Sequence, residues 1–359
     1  MTRPARVVID VTALSHNFSR IRKLVPKQKV MAIVKAEAYG HGLVRVARVL
    51  DSADAFGVAS LDEAMKLRDA GITRPIVLLE GPYMADEIPE IQRLGLDIVV
   101  HHETQIAMLE KANTDKPIPI WIKIDTGMHR LGFAPGQFAA VWQRLQGCAT
   151  VNHPIRLMTH LAAASEADNP LTGVQLSCFR DICANIPSET SIANSAAILQ
   201  WPESHADWVR PGLMLYGVSP FADHIGENHG LRPVMTLQSE LISIQHLGAG
   251  ESVGYGASWC CPEDMPVGIV AAGYGDGFPR HAKSGTPVLV NGKRVDLVGR
   301  ASMDMLTVDL RNQADAKVGD PVVLWGEGLP IEMVAQGADT IPYELLCGVH
   351  KRLECVERG

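Results

Sequence analysis

The stretch Met31-Ala32-Ile33-Val34-Lys35-Ala36-Glu37-Ala38-Tyr39-Gly40-His41-Gly42 sets a short apolar run against a lysine and two glycines. An unbroken apolar run ahead of a polar break reads as a strand buried on both faces. A lysine that closes such a strand is costly unless its amine has a partner or a pKa low enough to stay neutral. A neutral, desolvated lysine is the form that Schiff-base chemistry with an aldehyde requires. At Gly40 and Gly42 the backbone can turn tightly or approach a ligand closely. A strand-end lysine is most often a solvated surface charge, so the rest of the chain has to decide its meaning.

Working outward, seven more strand-like runs follow Lys29–Lys35: Ala55–Ser60, Pro75–Glu80, Leu96–Val100, Pro119–Asp125, Ile155–Leu161, Glu189–Ser195 and Trp208–Tyr216. Stretches with apolar residues near a 3.6 period separate most of them, including Leu61–Ala70, Glu103–Ala112, Pro135–Leu145 and Pro170–Ile186, and a helix over Thr12–Leu24 precedes the first. Strands apolar on both faces and alternating with helices indicate a parallel sheet. Eight such units in about 215 residues predict a TIM (β/α)8 barrel over 11–232. A doubly wound open sheet is the alternative, but the Gly-x-Gly-x-x-Gly fingerprint expected after its first strand is missing.

After Arg232 the texture changes. Met235–His246, Met265–Ala272, Thr286–Val298, Met303–Leu310 and Asp320–Trp325 read as strands joined by short turns such as Asn291-Gly292. This predicts a second, mainly β domain over 233–359, joined by the opening run at 1–10.

The 359 residues are 47% hydrophobic and 20% charged, which supports a large core and excludes global disorder. A net charge of −7 without a basic stripe argues against nucleic acid and membrane surfaces as partners. The start lacks the apolar core of a secretory signal, and no run approaches the roughly 20 residues of a membrane span. The seven cysteines show no zinc spacing, so no metal is expected and reduced thiols in a cytoplasm are the simplest account.

Active sites of TIM barrels lie at the C-terminal ends of the strands. Lys35, Lys123, Asp125, Arg130, His160, Asn194, Ser195 and Arg210 fall at or near those ends. Individually each has a plain structural use, His160 as a satisfied core histidine and Ser195 as a helix cap. Phosphate sites in such barrels commonly use the loops after strands seven and eight. Here those loops carry Ser195 and Pro211-Gly212-Leu213, where backbone N–H groups can approach an anion.

Seven segments now carry a resemblance. They are Ala32–Gly42, Lys123–Gly132 (Lys-Ile-Asp-Thr-Gly-Met-His-Arg-Leu-Gly), Ala193-Asn194-Ser195, Arg210-Pro211-Gly212, Val253-Gly254-Tyr255-Gly256, Gly273-Tyr274-Gly275-Asp276-Gly277 and Val298-Gly299-Arg300-Ala301-Ser302-Met303-Asp304. In this order and spacing the chain resembles the bacterial, pyridoxal-phosphate-dependent alanine racemases from end to end. That family folds as a TIM barrel followed by a β domain.

The resemblance implies a cytoplasmic homodimer that interconverts L- and D-alanine, either to supply D-alanine as a peptidoglycan precursor or to degrade it. It implies pyridoxal 5'-phosphate bound to Lys35, with Tyr39, His160, Asn194, Ser195, Arg210, Gly212 and Leu213 in the cofactor site. Tyr39, Ser195 and the amides of Gly212 and Leu213 would hold the phosphate, and Arg210 would face the pyridine nitrogen. Lys35 and Tyr255 of the partner subunit would serve as the two acid–base groups on opposite faces of Cα. Arg130, Met303 and Asp304 would help to place the substrate carboxylate, and Tyr274 would narrow the entrance. Lys123 matches a lysine that some members carry as a carbamate. The chain departs from the family at Glu37, where Asn or Asp is usual, and at Lys351, where some members have a phosphate-contacting tyrosine.

Rival readings fail on single features. Asp125-Thr126-Gly127 resembles the aspartic-protease motif, but no second copy supplies the paired carboxylate. Gly273–Gly277 lacks the Gly-Lys-Ser/Thr of a P-loop. Amino-acid decarboxylases of similar architecture carry a triple glycine and an acidic partner for the ring nitrogen; this chain offers Arg210. Non-catalytic pyridoxal-phosphate carriers resemble only the first 230 residues.

Overall fold

The computed structural model describes residues 3–113 and 115–359. Eight parallel strands close into a barrel: β2 (Lys29–Ile33), β3 (Ala55–Val58), β4 (Ile76–Leu78), β5 (Asp97–Val100), β6 (Ile118–Lys123), β7 (Val151–Met158), β8 (Thr190–Ser191) and β9 (Trp208–Val209), with β9 pairing back onto β2. Helices Leu43–Val49, Leu61–Asp69, Ile88–Arg93, Glu103–Lys111, Phe138–Gln146 and Leu171–Cys183 lie between successive strands. The barrel interior is filled rather than hollow: Met31 and Trp121, which the register puts on the same face of the sheet, are fully buried, and the Trp121 ring meets Trp208 edge-on at 5.7 Å.

Apart from β7, which runs from Val151 rather than Ile155 and ends at Met158 rather than Leu161, the barrel strands are shorter than the apolar runs suggest. β2 stops at Ile33, two residues before Lys35. The runs expected at 189–195 and 208–216 form only two ladder residues each, and Leu213–Tyr216 is a 3-10 turn. Those residues leave the ladder because their backbone groups serve the rim loops.

Two compact units divide the chain: Phe18–Ala38 with Gly42–Leu215, which contains the barrel, and Met1–Asn17, Tyr39–His41 and Tyr216–Gly359. The second contains an eight-stranded sheet whose main path runs β15 (Lys293–Asp296), β14 (Pro287–Val290), β17 (Pro321–Trp325), β10 (Met235–Leu247), β1 (Arg6–Asp10) and β18 (Glu354–Arg358). β13 (Met265–Val270) branches from β10 and pairs with β16 (Leu306–Asp309). β1 lies antiparallel to β10 and parallel to β18. A small separate hairpin, β11 (Ser252–Val253) and β12 (Trp259–Cys260), carries Tyr255 in its turn. Short helices at Ile331–Gly337 and Pro342–Cys347, absent from the sequence reading, pack in the same unit. Among the described residues no helix is long and apolar enough to cross a membrane, and the seven cysteines are unbridged.

Candidate active site

The two ends of the barrel handle charge differently. At the N-terminal end cations meet carboxylates: Lys29 Nζ lies 2.5 Å from Glu189, and Arg156 pairs with Asp97 at 2.6 Å and with Glu189 at 3.2 Å. Such pairs are ordinary structural closure. At the C-terminal rim the charges of Arg210, Arg130 and Lys35 all bear on Lys123 and disfavour its charged form, while Glu80 acts in the opposite direction. A rim with excess positive charge and partial burial suits an anionic ligand.

Arg210 follows β9 and is 5% exposed. Its Nη1 donates to Ser191 Oγ at 2.6 Å, and its Nη2 donates to the carbonyls of Thr159 at 2.6 Å and Ile192 at 3.1 Å. Burial lowers its pKa to about 10, which leaves the guanidinium protonated at neutral pH. Neutral acceptors therefore fix its fork, a geometry that a lysine could not reproduce. His160 follows β7 and places Nδ1 3.3 Å from Arg210 Nη2. Burial, then the charges of Arg210, Lys123, Arg130 and Lys35, holds its imidazole well below the usual pKa, so the ring is neutral. Lys123 ends β6 and is 9% exposed; burial first and then Arg210, Arg130 and Lys35 push its amine down to about 8.

The loop after β6 is folded by Asp125. Its Oδ1 accepts from the amides of Gly127, Met128 and His129, each at 3.0 Å. Burial works against the charge, but the amides and His129 hold the carboxyl below its ordinary range. Arg130, next in the chain, is exposed. Thr126 Oγ1 meets Thr159 Oγ1 at 2.8 Å, and buried Gln175 donates to Thr126 Oγ1 at 3.2 Å and to the His160 carbonyl at 3.0 Å. Thr159, Gln175 and Ser191 were not singled out by the sequence. Their roles arise from contacts between elements distant in sequence, for which no local motif exists.

Asn194 caps the helix Ser195–Gln200, its Oδ1 accepting from Ala197 N at 3.0 Å. Ser195 is 3% exposed and its Oγ accepts from the amides of Gly212 at 3.0 Å and Met214 at 3.4 Å. Serine, the 212–214 amides and the cap thus converge on one buried corner of the rim.

The segment after Lys35 has an uncommon backbone. Ala36, Glu37 and Ala38 have φ/ψ of 54°/54°, 53°/41° and 54°/50°, and Tyr39 has φ 54°. Four successive non-glycine residues form a left-handed turn. The left-handed helix costs about 1–2 kcal/mol per L-residue, so this turn persists only because its surroundings over-determine it. The amide of Ala38 donates to Val34 O at 2.8 Å and that of Gly42 to Glu37 O at 2.9 Å. Glu63 Oε1 accepts from Ala36 N at 2.6 Å and its Oε2 from Ala59 N at 2.8 Å. Glu37, the first departure from the family, pairs with Lys66 Nζ at 2.7 Å.

In the other compact unit, Tyr39 is 8% exposed and stacks on Tyr216 with centroids 4.7 Å apart, while Tyr343 tilts against it at 5.8 Å. Burial, Tyr343 and Cys347 raise its phenol pKa, so it is a hydrogen-bond donor rather than a base. Tyr255 is 65% exposed, on a turn between Gly254 (φ 71°) and Gly256 (φ 74°). The loops bearing Tyr274 and Met303 are joined: Tyr274 N donates to Ser302 O at 3.0 Å and Gly275 N to Met303 O at 2.9 Å. A Cβ at Gly273 would lie 2.2 Å from Ser302 O, so only glycine allows this approach. Fully buried Asp276 accepts from Arg3 Nη1 at 3.1 Å and Arg352 Nε at 2.8 Å, and Asp304 Oδ1 accepts from Arg352 Nη2 at 2.8 Å. Lys351 is exposed. Among the described residues no three His, Cys, Asp or Glu side chains group as a metal site.

Comparison with known proteins agrees over the whole chain. Residues 9–220 match the family model for the alanine racemase N-terminal domain, and 234–357 match that for the C-terminal domain. An alanine racemase of Nitrosococcus oceani is 55% identical over 349 residues, covering 97% of this chain and 98% of that protein. A biosynthetic alanine racemase of Escherichia coli is 51% identical over 350 residues, covering 97% and 98%. The crystal structure of the biosynthetic alanine racemase from Pseudomonas aeruginosa superposes with a TM-score of 0.97 at 43% identity and covers all of both chains. The chain therefore belongs to the alanine racemase family.

Proposed function

We propose that this chain interconverts L- and D-alanine with pyridoxal 5'-phosphate attached at Lys35, as a homodimer with shared active sites. In this reading the barrel over 11–232 holds the cofactor, and the β domain over 233–359, with the strand at 1–10, supplies Tyr255 to the other subunit. The observation that carries the reading is the cationic rim, where the charges of Lys35 and Arg210 both bear on His160 and Lys123, in a chain of this family.

The residues fit the cofactor. Two amides on Ser195 Oγ leave its proton to donate to a phosphate oxygen. The amides of Gly212 and Leu213 and the phenol of Tyr39 are further donors for that group. Asn194 shapes this corner by capping the helix that carries Ser195. Arg210 is held so that it can offer a hydrogen bond to a ring nitrogen yet keep its proton, which moderates electron withdrawal and suppresses side reactions. Held by these residues, pyridoxal phosphate would supply an electron sink for a substrate carbon that gives up its proton.

Racemisation needs a proton removed from one face of Cα and another delivered to the opposite face. The Lys35 amine serves one face and Tyr255 of the partner subunit the other. A free phenol has a pKa near ~10, so the phenolate needs support. The Arg210 charge and the neutral His160 ring suit that task. Arg130, the Met303 backbone and Asp304 place the carboxylate, and Tyr274 limits side-chain size. With its amine near 8, about a tenth of Lys123 is neutral at pH 7. That fraction can form an N–C bond to carbon dioxide and lose a proton, which gives a carbamate anion able to pair with Arg130.

Incubation with L-alanine in heavy water tests the reading. Both enantiomers carrying deuterium at Cα are expected. Release of carbon dioxide would indicate a decarboxylase, and absence of exchange by protein with bound cofactor would remove the proposal.

A further inference from the structure

The turn over 36–39 has few internal means of staying left-handed. Alanine and glutamate favour the right-handed helix, and Ala36 is exposed, so packing of its methyl group does not hold it in place. Ala38 and Tyr39 are buried, but the start of the turn, at Ala36 and Glu37, is reached by the helix Leu61–Asp69. Its N-cap, Ser60, accepts from Glu63 N at 3.5 Å. In an ordinary capping box the Glu side chain would return to the amide of the cap residue. Here Glu63 instead spans two other donors, Ala59 N at the end of β3 and Ala36 N at the start of the left-handed turn. The Lys66–Glu37 pair from the same helix adds a second tie, but both side chains are largely solvated and such pairs contribute little.

We propose that Glu63 is a positioning residue: its carboxylate clamps the first amide of the left-handed turn to the end of β3 and so fixes the direction in which Lys35 leaves the barrel. The proposal rests on the reading that Lys35 carries the cofactor. Glu63 touches neither cofactor nor substrate. Its effect passes through the backbone of Ala36, the residue adjoining the lysine. A glutamine can accept only one of the two bonds, since its amide nitrogen would face a donor.

The test uses the purified protein with its cofactor and three variants: Glu63→Gln, Ala36→Gly, and both together. Glu63→Gln is expected to raise the cofactor dissociation constant, read from the visible absorbance, by about tenfold, as for loss of a charge-assisted bond. It should also lower Tm. Ala36→Gly is expected to leave the dissociation constant within about threefold, since glycine adopts positive φ without cost. The double variant is expected to recover most of what Glu63→Gln loses in both measurements, because the turn then needs no clamp. A residue that only caps its own helix would not be rescued from position 36. An unchanged dissociation constant in Glu63→Gln, or a double variant as impaired as Glu63→Gln, overturns the proposal. Borohydride reduction followed by peptide mapping checks the parent protein. Cofactor attached to another lysine would defeat the functional reading, and the Tm coupling between positions 36 and 63 would still decide the clamp.

Discussion

Arg210 Nη2 and His160 Nδ1 lie 3.3 Å apart at the barrel rim. Guanidinium is only a donor, so the approach favours the tautomer in which Nδ1 is unprotonated and the imidazole proton sits on Nε2. The arrangement fits a ring whose pKa is held well below its ordinary value by burial and by four neighbouring cations. In the unfolded chain the same histidine takes up a proton near ~6.5. Between that pH and the lower folded value the unfolded state binds more protons, so His160 contributes less stability as pH falls below about 6.5. Nitrogen NMR of the ring should still show one neutral tautomer at pH 6.5, where a free imidazole is about half protonated. His160→Asn should flatten the acid side of the stability curve. An imidazole that titrates normally in the folded protein would contradict this account.

Replacing Arg210 by lysine keeps the charge and loses the fork. Ser191 Oγ and the carbonyls of Thr159 and Ile192 cannot all be reached by one ammonium from the same position. Each buried acceptor left without a donor costs about 1–3 kcal/mol, so Arg210→Lys should destabilise the fold by at least about 2 kcal/mol in urea titration. Turnover should fall further than cofactor retention, because the arginine is assigned to the ring rather than to the phosphate. Wild-type stability in this variant would mean that the fork is not what holds the rim.

The barrel was legible because its strands are apolar on both faces, and Met31–Val34 is the plainest example. The rim residues were legible through their positions just past those strands and through the seven matched segments. What escaped was non-local or against propensity. Thr159, Gln175 and Ser191 act through bonds between elements far apart in sequence. The left-handed turn contradicts the preference of Ala-Glu-Ala, and tertiary bonds from Glu63 override it. The strand expectations at 189–195 and 208–216 overran because apolar composition marks burial, and the buried residues after Ser191 and Val209 form rim loops rather than ladder.

The departure at Glu37 leads to a stability prediction. The position has φ 53° and ψ 41°, where asparagine is tolerated better than glutamate. The ion pair with Lys66 that glutamate gains is exposed on both sides. Glu37→Asn should therefore raise Tm by a degree or more and should lose little from the broken pair. A clear drop in Tm would show that the Lys66 contact outweighs the backbone strain.

Lys35 and Tyr255 can be tested together. Tyr255 is 65% exposed, on a turn between two glycines with positive φ. A large exposed ring on such a turn gains little for its own subunit, which is what a residue donated to another subunit would look like. Lys35→Ala should abolish the yellow absorbance and the activity together. Tyr255→Phe should keep the absorbance and lose most of the turnover. If each site takes its lysine from one chain and its phenol from the other, unfolding and refolding a mixture of the two variants should give heterodimers with one intact site, and thus partial activity. A mixture that stays inactive despite heterodimers seen by native mass spectrometry would place both groups on the same chain or remove the tyrosine from proton transfer. Unchanged turnover in Tyr255→Phe alone would do the latter directly.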